Sequence, residues 1–427
     1  MNSIAPVTYS RDVLLRRFPS PGASAARHSR AQSGHRARRG IALGLTAVLS
    51  FGISASAFLA FRLNGNVDRV DITNLVAKPS PGATREPNPT DPNLGAPVNI
   101  LLLGSDERDG ANESIGGADP SLASDTAIVA HLSADRSRIE LVSIPRDSMV
   151  SIPACTGTNG STSKPRSKAI FNSAFSIGWN LGGDIASAAA CTMSTVQANT
   201  GLSLDHVAIV DMIGFQRMVD AIGGVDICIP SRMVDAYTGL DAAAGNQHFD
   251  GVRALQFARA RHVEGTDGSD LNRIGNQQRL LSAVMTTALS KNDLGNVPKL
   301  ISFLSAATSS MTTDADLTLQ TMASLVYNTR SVRSGDITFM TIPNGPDPAD
   351  GNRVVWTSAS EAIWSNMVQD LPIVTAEEPV DPAAPSAPGP ASDPPLPPTP
   401  TPTPTPTEAK NAGREPFTGD DITAVCD

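Results

Sequence analysis

Short apolar runs, each about the length of a β-strand, recur along the chain from Val98 onward. Residues 99–104 and 127–132 are two of these runs, and residues 138–144 alternate between apolar and polar positions. Runs of this length, and alternation with a period of two, are typical of strands. Four further strands are predicted, at residues 206–210, 225–229, 336–342 and 354–356.

Apolar residues with helical spacing lie between these strands. The predicted helices cover residues 169–196, 213–222, 269–289, 297–307 and 317–327, and one more follows Ser358. Gly223 and Gly224 end the second helix, and Ser358 with Glu361 resembles a capping box. Strands that alternate with helices in this way predict an α/β fold in which helices cover a mixed central sheet.

A continuous apolar segment precedes this body. Residues 41–61 span 21 positions without a charged side chain, which is long enough for a helix that crosses a bilayer. Before it lie eight arginines and one aspartate, so residues 1–40 carry a net charge of +7 against −9 for the whole chain. Such an arginine excess marks the cytoplasmic side. We therefore predict a single-pass cell-membrane protein whose N-terminus is cytoplasmic and whose body lies outside.

Two other interpretations of the N-terminal region are weaker. A cleaved signal peptide has an apolar core of about 7–15 residues, which is shorter than this segment. The arginines could instead form an arm that binds nucleic acid. Membrane topology already explains them, so no nucleic-acid partner is predicted.

Proline-rich segments flank the predicted body. Residues 62–97 form a polar linker, and residues 373–416 form a disordered stalk that contains proline–threonine repeats. Residues 417–427 are a short C-terminal tail. The folded domain is therefore predicted to cover residues 98–372.

All four cysteines lie beyond the apolar segment, as expected for a body that is exported. Their spacing contains no pattern typical of zinc ligands. Four cysteines allow three pairings. From position alone we favour Cys155–Cys191, on either side of one insertion, and Cys228–Cys426, which would attach the tail.

Arginines beside strands and helix starts are the main candidates for chemistry. Arg146 follows a strand, and Arg273 lies in the first turn of a predicted helix with Gln277 one turn later. Arg259 and Arg261 would share one face if they belong to a strand. Converging guanidinium groups repel one another unless a dense anion such as phosphate bridges them. Any one of them could be an ordinary surface arginine, but the set together favours a phosphate site.

Two aspartates stand at strand ends in the same region. Asp106 follows the first strand and Asp125 opens the second. Paired carboxylates can hold a hard cation such as Mg²⁺, with phosphate and water as further ligands. The alternative is that both are ordinary turn and strand-end residues. Motifs of other enzyme classes are missing, namely the P-loop, the serine-hydrolase nucleophile elbow and the HExxH motif.

An ordered set of short motifs resembles the LytR-CpsA-Psr family of cell-wall glycopolymer transferases, of the actinobacterial type. The resemblance has its core in residues 98–289. The motifs are Asn99–Arg108, Ser124–Thr126, Ser143–Asp147, Phe171–Asn172, Gly223–Val225, Ala258–Arg261 and Asp270–Gln278.

The resemblance implies a fold, an activity and a set of site residues. The fold would be an α/β sheet covered by helices, with an apolar tunnel for a polyprenyl chain. The enzyme would attach a polyprenyl-pyrophosphate-linked glycopolymer to peptidoglycan outside the membrane, facing the cell wall. By motif position, Asp106 and Asp125 resemble the family's ligands for Mg²⁺ (or Mn²⁺). The residues that resemble its pyrophosphate clamp are Arg146, Arg259, Arg261, Arg273 and Gln277.

Two positions depart from the family pattern. Ala123 stands where an arginine usually precedes the second aspartate, and Asn276 stands where an arginine often precedes the glutamine pair. Arg108 would supply part of the missing charge and is added to the predicted clamp. An impaired paralogue is therefore one hypothesis that the departures raise.

The predicted reaction is a phosphoryl-type transfer, which needs positioning and charge neutralisation more than a covalent nucleophile. A peptidoglycan hydroxyl attacks the glycan-side phosphorus, and polyprenyl phosphate leaves. Asp125 and Arg146 are the predicted catalytic residues, with Asp125 or Asp106 helping to deprotonate the acceptor. Two alternatives are a non-catalytic envelope scaffold or regulator that binds lipid-linked glycans, and a lipid pyrophosphatase that uses water as acceptor.

Overall fold

The computed structural model describes residues 54, 58, 61–63, 65–76, 95–105, 123–266, 268–288, 305–374, 410–423 and 426. The chain divides into two compact units, Met1–Ala60 and Phe61–Asp427, and all elements named below belong to the second. Among the described residues, no helix is long and apolar enough to cross a membrane. The predicted membrane helix, the basic tail before it and the proline–threonine repeats lie outside these residues, apart from positions 54, 58 and 61.

Sixteen strands and eight α-helices organise the described part of the second unit. The strands are β1 (Asp68–Val70), β2 (Val98–Ser105), β3 (Ser124–Leu132), β4 (Ile139–Ser143), β5 (Met149–Ile152), β6 (Arg166–Ile170), β7 (His206–Val210), β8 (Val225–Ile229), β9 (Met233–Asp235), β10 (Leu240–Ala242), β11 (Gly245–Phe249), β12 (Met311–Asp314), β13 (Ile337–Thr341), β14 (Asn344–Asp347), β15 (Asp350–Trp356) and β16 (Phe417–Thr418). The helices are α1 (Ser173–Gly182), α2 (Ile185–Thr200), α3 (Met212–Ala221), α4 (Gly251–Arg259), α5 (Asp270–Ala288), α6 (Leu319–Asn328), α7 (Ala359–Val368) and α8 (Gly419–Thr423).

A mixed eight-stranded sheet, in the order β1-β12-β7-β2-β3-β4-β13-β16, is the centre of the fold. The central strands β2, β3 and β4 are antiparallel neighbours, whereas β7 and β13 join them in parallel. The prediction of an α/β fold with a mixed central sheet is confirmed.

Alternate residues of the central strands enter two different apolar cores. Leu101 pairs with Val129, which pairs in turn with Val142, and all three are fully buried in the core beneath α1, α2 and α7. Ile128 and Leu141 belong instead to a core on the other face, beside α6. Successive side chains of a strand point to opposite faces, so the sheet is covered on both sides.

The outer strands of the sheet come from segments that the sequence assigned to the linker and the tail. β1 pairs with β12, and β16 pairs with β13. Phe417 in β16 stacks on Phe339, with ring centroids 5.2 Å apart. The folded unit therefore includes residues on both sides of the predicted 98–372 domain.

Both favoured disulfides are present. Cys155 and Cys191 are bonded with their Cα atoms 5.1 Å apart, and Cys228 and Cys426 with theirs 5.8 Å apart. The first bond joins the loop after β5 to α2. The second joins β8 to the C-terminal tail, which explains how the tail is fixed beside the sheet.

Two local predictions were wrong, and the strand considered for Arg259 and Arg261 is not formed. Residues 251–259 form helix α4, because Asp250 caps the first turn through the Arg253 N–H and Ala254 and Phe257 recur at helical spacing. Ser358 makes no capping hydrogen bond, because its own backbone is helical. The single helix predicted over 169–196 is two helices, separated where Gly183 adopts a φ of 76°.

Candidate active site

The charged candidates meet at one end of the central sheet. β3 begins with Ser124 and Asp125, opposite the end of β2 at Ser105. β4 runs antiparallel to β3 and therefore ends at the same edge, and Arg146 follows it by three residues. The first turn of α5, with Asp270 and Arg273, reaches this edge. The strand ends bring together residues that are up to 148 positions apart in sequence.

Asp125 is held by two guanidinium groups. Its Oδ1 lies 2.7 Å from Arg146 Nη1, and its Oδ2 lies 3.2 Å from Arg273 Nη1. Arg273 Nη2 also donates to the backbone oxygen of Asp125, at 2.9 Å. The Arg273 side chain is only 5% exposed, and Asp125 keeps 33% of its side chain exposed. The carboxylate is therefore fixed from behind but remains open to solvent.

The environment of Asp125 keeps it ionised. Burial alone would raise its pKa, but the charges of Arg273 and Arg146, helped by the more distant Arg261, lower the pKa below the ordinary aspartate value. A carboxylate in this state is a counter-ion at neutral pH and a weak base.

Arg146 contacts a small group of acids. Its Nε lies 3.5 Å from Asp147 Oδ2 and 3.8 Å from Asp270 Oδ1. Burial disfavours the charged guanidinium, but Asp125, Asp270 and Asp147 outweigh burial and raise the pKa of Arg146. Asp147 in turn binds Arg353, with Nη1 and Oδ1 2.7 Å apart.

Arg261 lies close to two other cations. Burial lowers its pKa and repulsion from Arg146 and Arg273 lowers it further, while attraction to Asp270 and Asp147 offsets only part of the effect. Its Nε is buried and has no hydrogen-bond partner in the described part of the chain. A bound anion would relieve the repulsion among these guanidinium groups.

Asp235 positions the Arg261 segment. One carboxylate oxygen accepts from the backbone N–H groups of Arg261 and His262, both at 2.8 Å, and the other accepts from Tyr237 and Thr238. Burial would raise the pKa of Asp235, but these four N–H groups lower it. His262 packs against Tyr237 with the two rings tilted by 47° and their centroids 4.6 Å apart.

The other predicted clamp residues have different surroundings. Arg259 is the last residue of α4, where a cation suits the helix dipole, and not one of two arginines on a strand face. Gln277 Nε2 lies 3.4 Å from the Ala258 oxygen, which places it beside the end of α4. Asn276, at one of the two unusual positions, donates from Nδ2 to the Ala260 oxygen at 3.3 Å. Asn276 thus steadies the residue directly before Arg261.

Asp106 and Arg108 lie outside the described residues. Four residues of the site were not predicted from the sequence, namely Asp270, Asp147, Arg353 and Asp235. For Asp270 a signal existed, because an acid three residues before Arg273 on a helix predicts an ion pair, and the two are 2.6 Å apart. Asp235 carries no such signal, since it acts on backbone groups 26 and 27 residues away.

The described residues do not form a ready-made site for Mg²⁺. Both oxygens of Asp125 already contact guanidinium groups. No group of three or more histidine, cysteine, aspartate or glutamate residues among those described could hold a metal ion. A cation on Asp125 would have to share the carboxylate with Arg146 and Arg273.

The amino-acid sequence of this chain is similar to that of a known protein family. The profile of the LytR_cpsA_psr family matches residues 61–369. The probable cell wall biosynthesis protein LcpB of Corynebacterium glutamicum is 32% identical over 77% of this chain and 72% of its own. LcpA of the same organism is 29% identical over 75% of this chain and 62% of its own. The polyisoprenyl-teichoic acid–peptidoglycan teichoic acid transferase TagU of Oceanobacillus iheyensis is 29% identical over 77% of this chain and 88% of its own.

Solved structures with the same fold are also similar. The LytR-Csp2A-Psr enzyme from Actinomyces oris superposes with a TM-score of 0.50 and 20% identity, covering 71% of this chain and 96% of that one. TagT bound to LI-WTA superposes with a TM-score of 0.50 and 18% identity, covering 71% and 99%. At this level of identity the similarity shows the fold alone.

Proposed function

This chain belongs to the LytR-CpsA-Psr family, and on that premise we propose that it is a transferase that attaches a glycopolymer to peptidoglycan. The proposed donor is a glycopolymer linked to a polyprenyl chain through pyrophosphate. The TagU relative is a polyisoprenyl-teichoic acid–peptidoglycan teichoic acid transferase, which supports a polyprenyl-linked glycopolymer as donor and peptidoglycan as acceptor.

The observation that carries the proposal is the convergence of three guanidinium groups, those of Arg146, Arg261 and Arg273, on Asp125. Arg146, Arg261 and Arg273 act on one carboxylate, and the charges of the first and third lower the pKa of the second. A pyrophosphate group with its several oxygens matches the planar forks of these guanidiniums. The arginines that contact Asp125 then exchange part of their ion pairing for the donor's phosphates.

The proposed reaction breaks one phosphorus–oxygen bond and forms another. The oxygen of an acceptor hydroxyl attacks the phosphorus nearest the glycan, and the bond from that phosphorus to the bridging oxygen breaks. Polyprenyl phosphate leaves with the bridging oxygen and its electron pair, while the hydroxyl proton passes to a base or to water. The arginines neutralise the charge that develops on the transferred phosphoryl group.

Asp125 has two roles in this proposal. In the absence of donor it is the counter-ion that keeps Arg146 and Arg273 in place. Because its lowered pKa keeps it ionised, it can accept a hydrogen bond from the attacking hydroxyl and orient it. Gln277 and Arg259 lie at the end of α4 beside the Arg261 segment and complete the proposed clamp.

Mg²⁺ is part of the proposal, with Asp106 and Asp125 as its protein ligands. When bound it would supply further neutralisation of phosphate charge. Because Asp125 is already paired with two arginines, binding of the cation has to compete with those contacts.

We place the folded unit outside the cell membrane, anchored by residues 41–61 and facing the cell wall. The apolar length of that segment and the arginines before it support this topology. The two disulfides suit an oxidising compartment.

The direct test incubates the full-length protein with a synthetic polyprenyl-pyrophosphate saccharide and peptidoglycan fragments. The proposal expects covalent saccharide phosphate on the fragments and its loss in Arg146→Ala. Free saccharide phosphate without attachment would instead indicate a lipid pyrophosphatase. Donor binding without any turnover would indicate a scaffold, and either result would contradict the transferase.

A further inference from the structure

A groove lies apart from the arginine cluster, on the side of the sheet covered by α7. Its volume is about 470 Å³, and it is lined by the end of β15, the start of α7 and the end of α2. The residues that matter for its chemistry are Trp356, Thr357, Ser358, Glu361, Trp364 and Ser365.

The lining combines aromatic rings with hydrogen-bonding groups. The rings of Trp356 and Trp364 are 5.7 Å apart and tilted by 44°. Thr357, Glu361 and Ser365 are exposed along the rim and supply two hydroxyls and a carboxylate. Sugar rings have apolar C–H faces that stack on indole and hydroxyl edges that bind such groups. This composition is that of a saccharide site.

Trp364 lies beneath the other ring of the groove. Its side chain is only 3% exposed, whereas Trp356 is half-buried. Trp364 therefore supports Trp356, and Trp356 is the ring that a ligand in the groove can contact.

Three consecutive residues connect this groove to the arginine cluster. Arg146 binds Asp125, Asp147 binds Arg353 on β15, and Ser148 Oγ accepts from Trp356 Nε1 at 3.1 Å. Arg353 and Trp356 are three residues apart on one strand, which is about 10 Å of extended chain. The groove is therefore joined to the Asp125 cluster by direct side-chain contacts through Asp147, Arg353 and Ser148.

The charge of the groove distinguishes between the two polymers of the proposed reaction. Its lining contains one carboxylate, Glu361, and no lysine or arginine among the described residues. The groove offers no cation to attract an anionic donor glycopolymer. An uncharged glycan backbone, in contrast, is not repelled by Glu361. The arginine cluster, not the groove, suits the donor's phosphates.

We propose that this groove binds the glycan strand of the peptidoglycan acceptor and holds it while one hydroxyl reaches Asp125. The assignment rests on the proposed transferase function for the identity of the acceptor. The saccharide-binding groove itself rests on Trp356, Trp364 and the hydroxyls around them.

Binding of a β-1,4-linked N-acetylglucosamine oligosaccharide to the full-length protein tests this directly. Two of the chain's three tryptophans line the groove, so intrinsic fluorescence reports on occupancy. Ser365→Tyr fills the groove from an exposed helix position and should weaken binding by about tenfold or more. Ala362→Tyr places the same ring at an exposed position of α7 outside the groove and should leave the affinity unchanged.

Two results would overturn the assignment. One is equal binding by the wild-type protein and Ser365→Tyr. The other is no binding of the oligosaccharide by the wild-type protein or by a variant that lacks residues 376–407. Binding by that variant alone would support the groove and show that the chain's own proline–threonine segment competes for it, because aromatic grooves also bind polyproline helices.

The fluorescence test requires no transfer and so separates the two proposals. Saccharide binding that Ser365→Tyr abolishes, in a protein that transfers nothing, would support the groove and contradict the transferase. Transfer to peptidoglycan by a protein that fails to bind the oligosaccharide would do the reverse.

Discussion

Arg146 and Asp125 form the central ion pair of the site, with Nη1 and Oδ1 2.7 Å apart. Arg273 occupies the other oxygen of the same carboxylate. The pair therefore belongs to a network in which one acid serves two cations, and both of these cations repel a third, Arg261. A bound anion would reduce that repulsion.

Replacing Arg146 by lysine should abolish most transfer although the charge is kept. Lysine is a point charge and cannot bind Asp125 and a phosphate with the same planar fork. We expect a loss of about 100-fold or more in kcat/KM, in the range seen when a single transition-state donor is removed. Arg232→Lys is the matched control, because Arg232 is 65% exposed and pairs with Asp241 outside the cluster. Equal activity of both variants would contradict a forked contact.

Asp125→Asn should make the folded protein depend on anions. Removing the carboxylate leaves Arg146 and Arg273 without their shared counter-ion, and we expect a loss of about 2 kcal/mol of unfolding free energy, moderated by the partial exposure of the site. Inorganic pyrophosphate should restore more stability to the variant than to the wild-type protein. Thermal unfolding with and without pyrophosphate measures both effects. Identical shifts in the two proteins would argue against an anion site here.

The lowered pKa of Asp125 gives this ion network a defined pH dependence. Because the folded-state pKa lies below the ordinary value of 3.8, the stabilisation is fully present above that value. It is lost as pH falls through the folded pKa, where the carboxylate becomes protonated. Denaturant unfolding of wild type and Asp125→Asn should therefore differ at pH 6 and begin to converge only when the pH falls below 3.8. A difference that grows on acidification would mean that the sign is wrong.

Asp235 acts as a positioning residue, so its effect should reach the reaction through Arg261. Asp235→Asn keeps the size but weakens the carboxylate's hold on four backbone N–H groups, at a cost of about 1–3 kcal/mol in stability. KM for the donor should rise while the protein remains folded, because Arg261 loses its fixed backbone. Steady-state kinetics together with circular dichroism checks this. An unchanged KM would separate Asp235 from donor binding.

Residues 410–416 were predicted to belong to the disordered stalk, but they lead into the C-terminal tail and Gly413 packs on α5. This part of the chain should be needed for the stability of α5. Gly413 has a φ of 86°, its N–H donates to Gln278 Oε1, and a methyl group there would meet the Leu271 oxygen at 2.3 Å. Gly413→Ala should therefore cost more than the about 1–2 kcal/mol expected for a positive φ alone. Gly160→Ala provides that baseline, since Gly160 has a φ of 80° and open space around its Cα. Chemical denaturation compares the two, and equal costs would show that the tail moves aside freely.

Strand and helix positions were largely predictable because the apolar runs between Val98 and Val210 bury one side chain after another. The favoured disulfides were also right. The strand considered for Arg259 and Arg261 is not formed, because residues 251–259 are a capped helix with Ala254 and Phe257 on its buried face. The edge strands β1 and β16 escaped prediction because two or three residues carry no usable period, and only their partners β12 and β13 define them.

The site was predictable as a set of residue types but not as a network. The sequence pointed to Asp125, Arg146, Arg261 and Arg273, and the structure brings these four together. The sequence could not show that Asp235 holds the Arg261 backbone or that Asn276 binds the Ala260 oxygen. Both contacts depend on a chain path that is set by tertiary packing. The roles of Asp106 and Arg108 stay predictions.

The most direct measurement follows the phosphorus atom next to the glycan. A donor labelled with ³³P at that position is incubated with the full-length protein and peptidoglycan fragments, with Arg146→Lys in parallel. The account predicts that the label becomes covalently attached to the fragments, with one unlabelled polyprenyl phosphate released per attachment. Label released as free glycan phosphate, or label that stays with the polyprenyl chain, would contradict it.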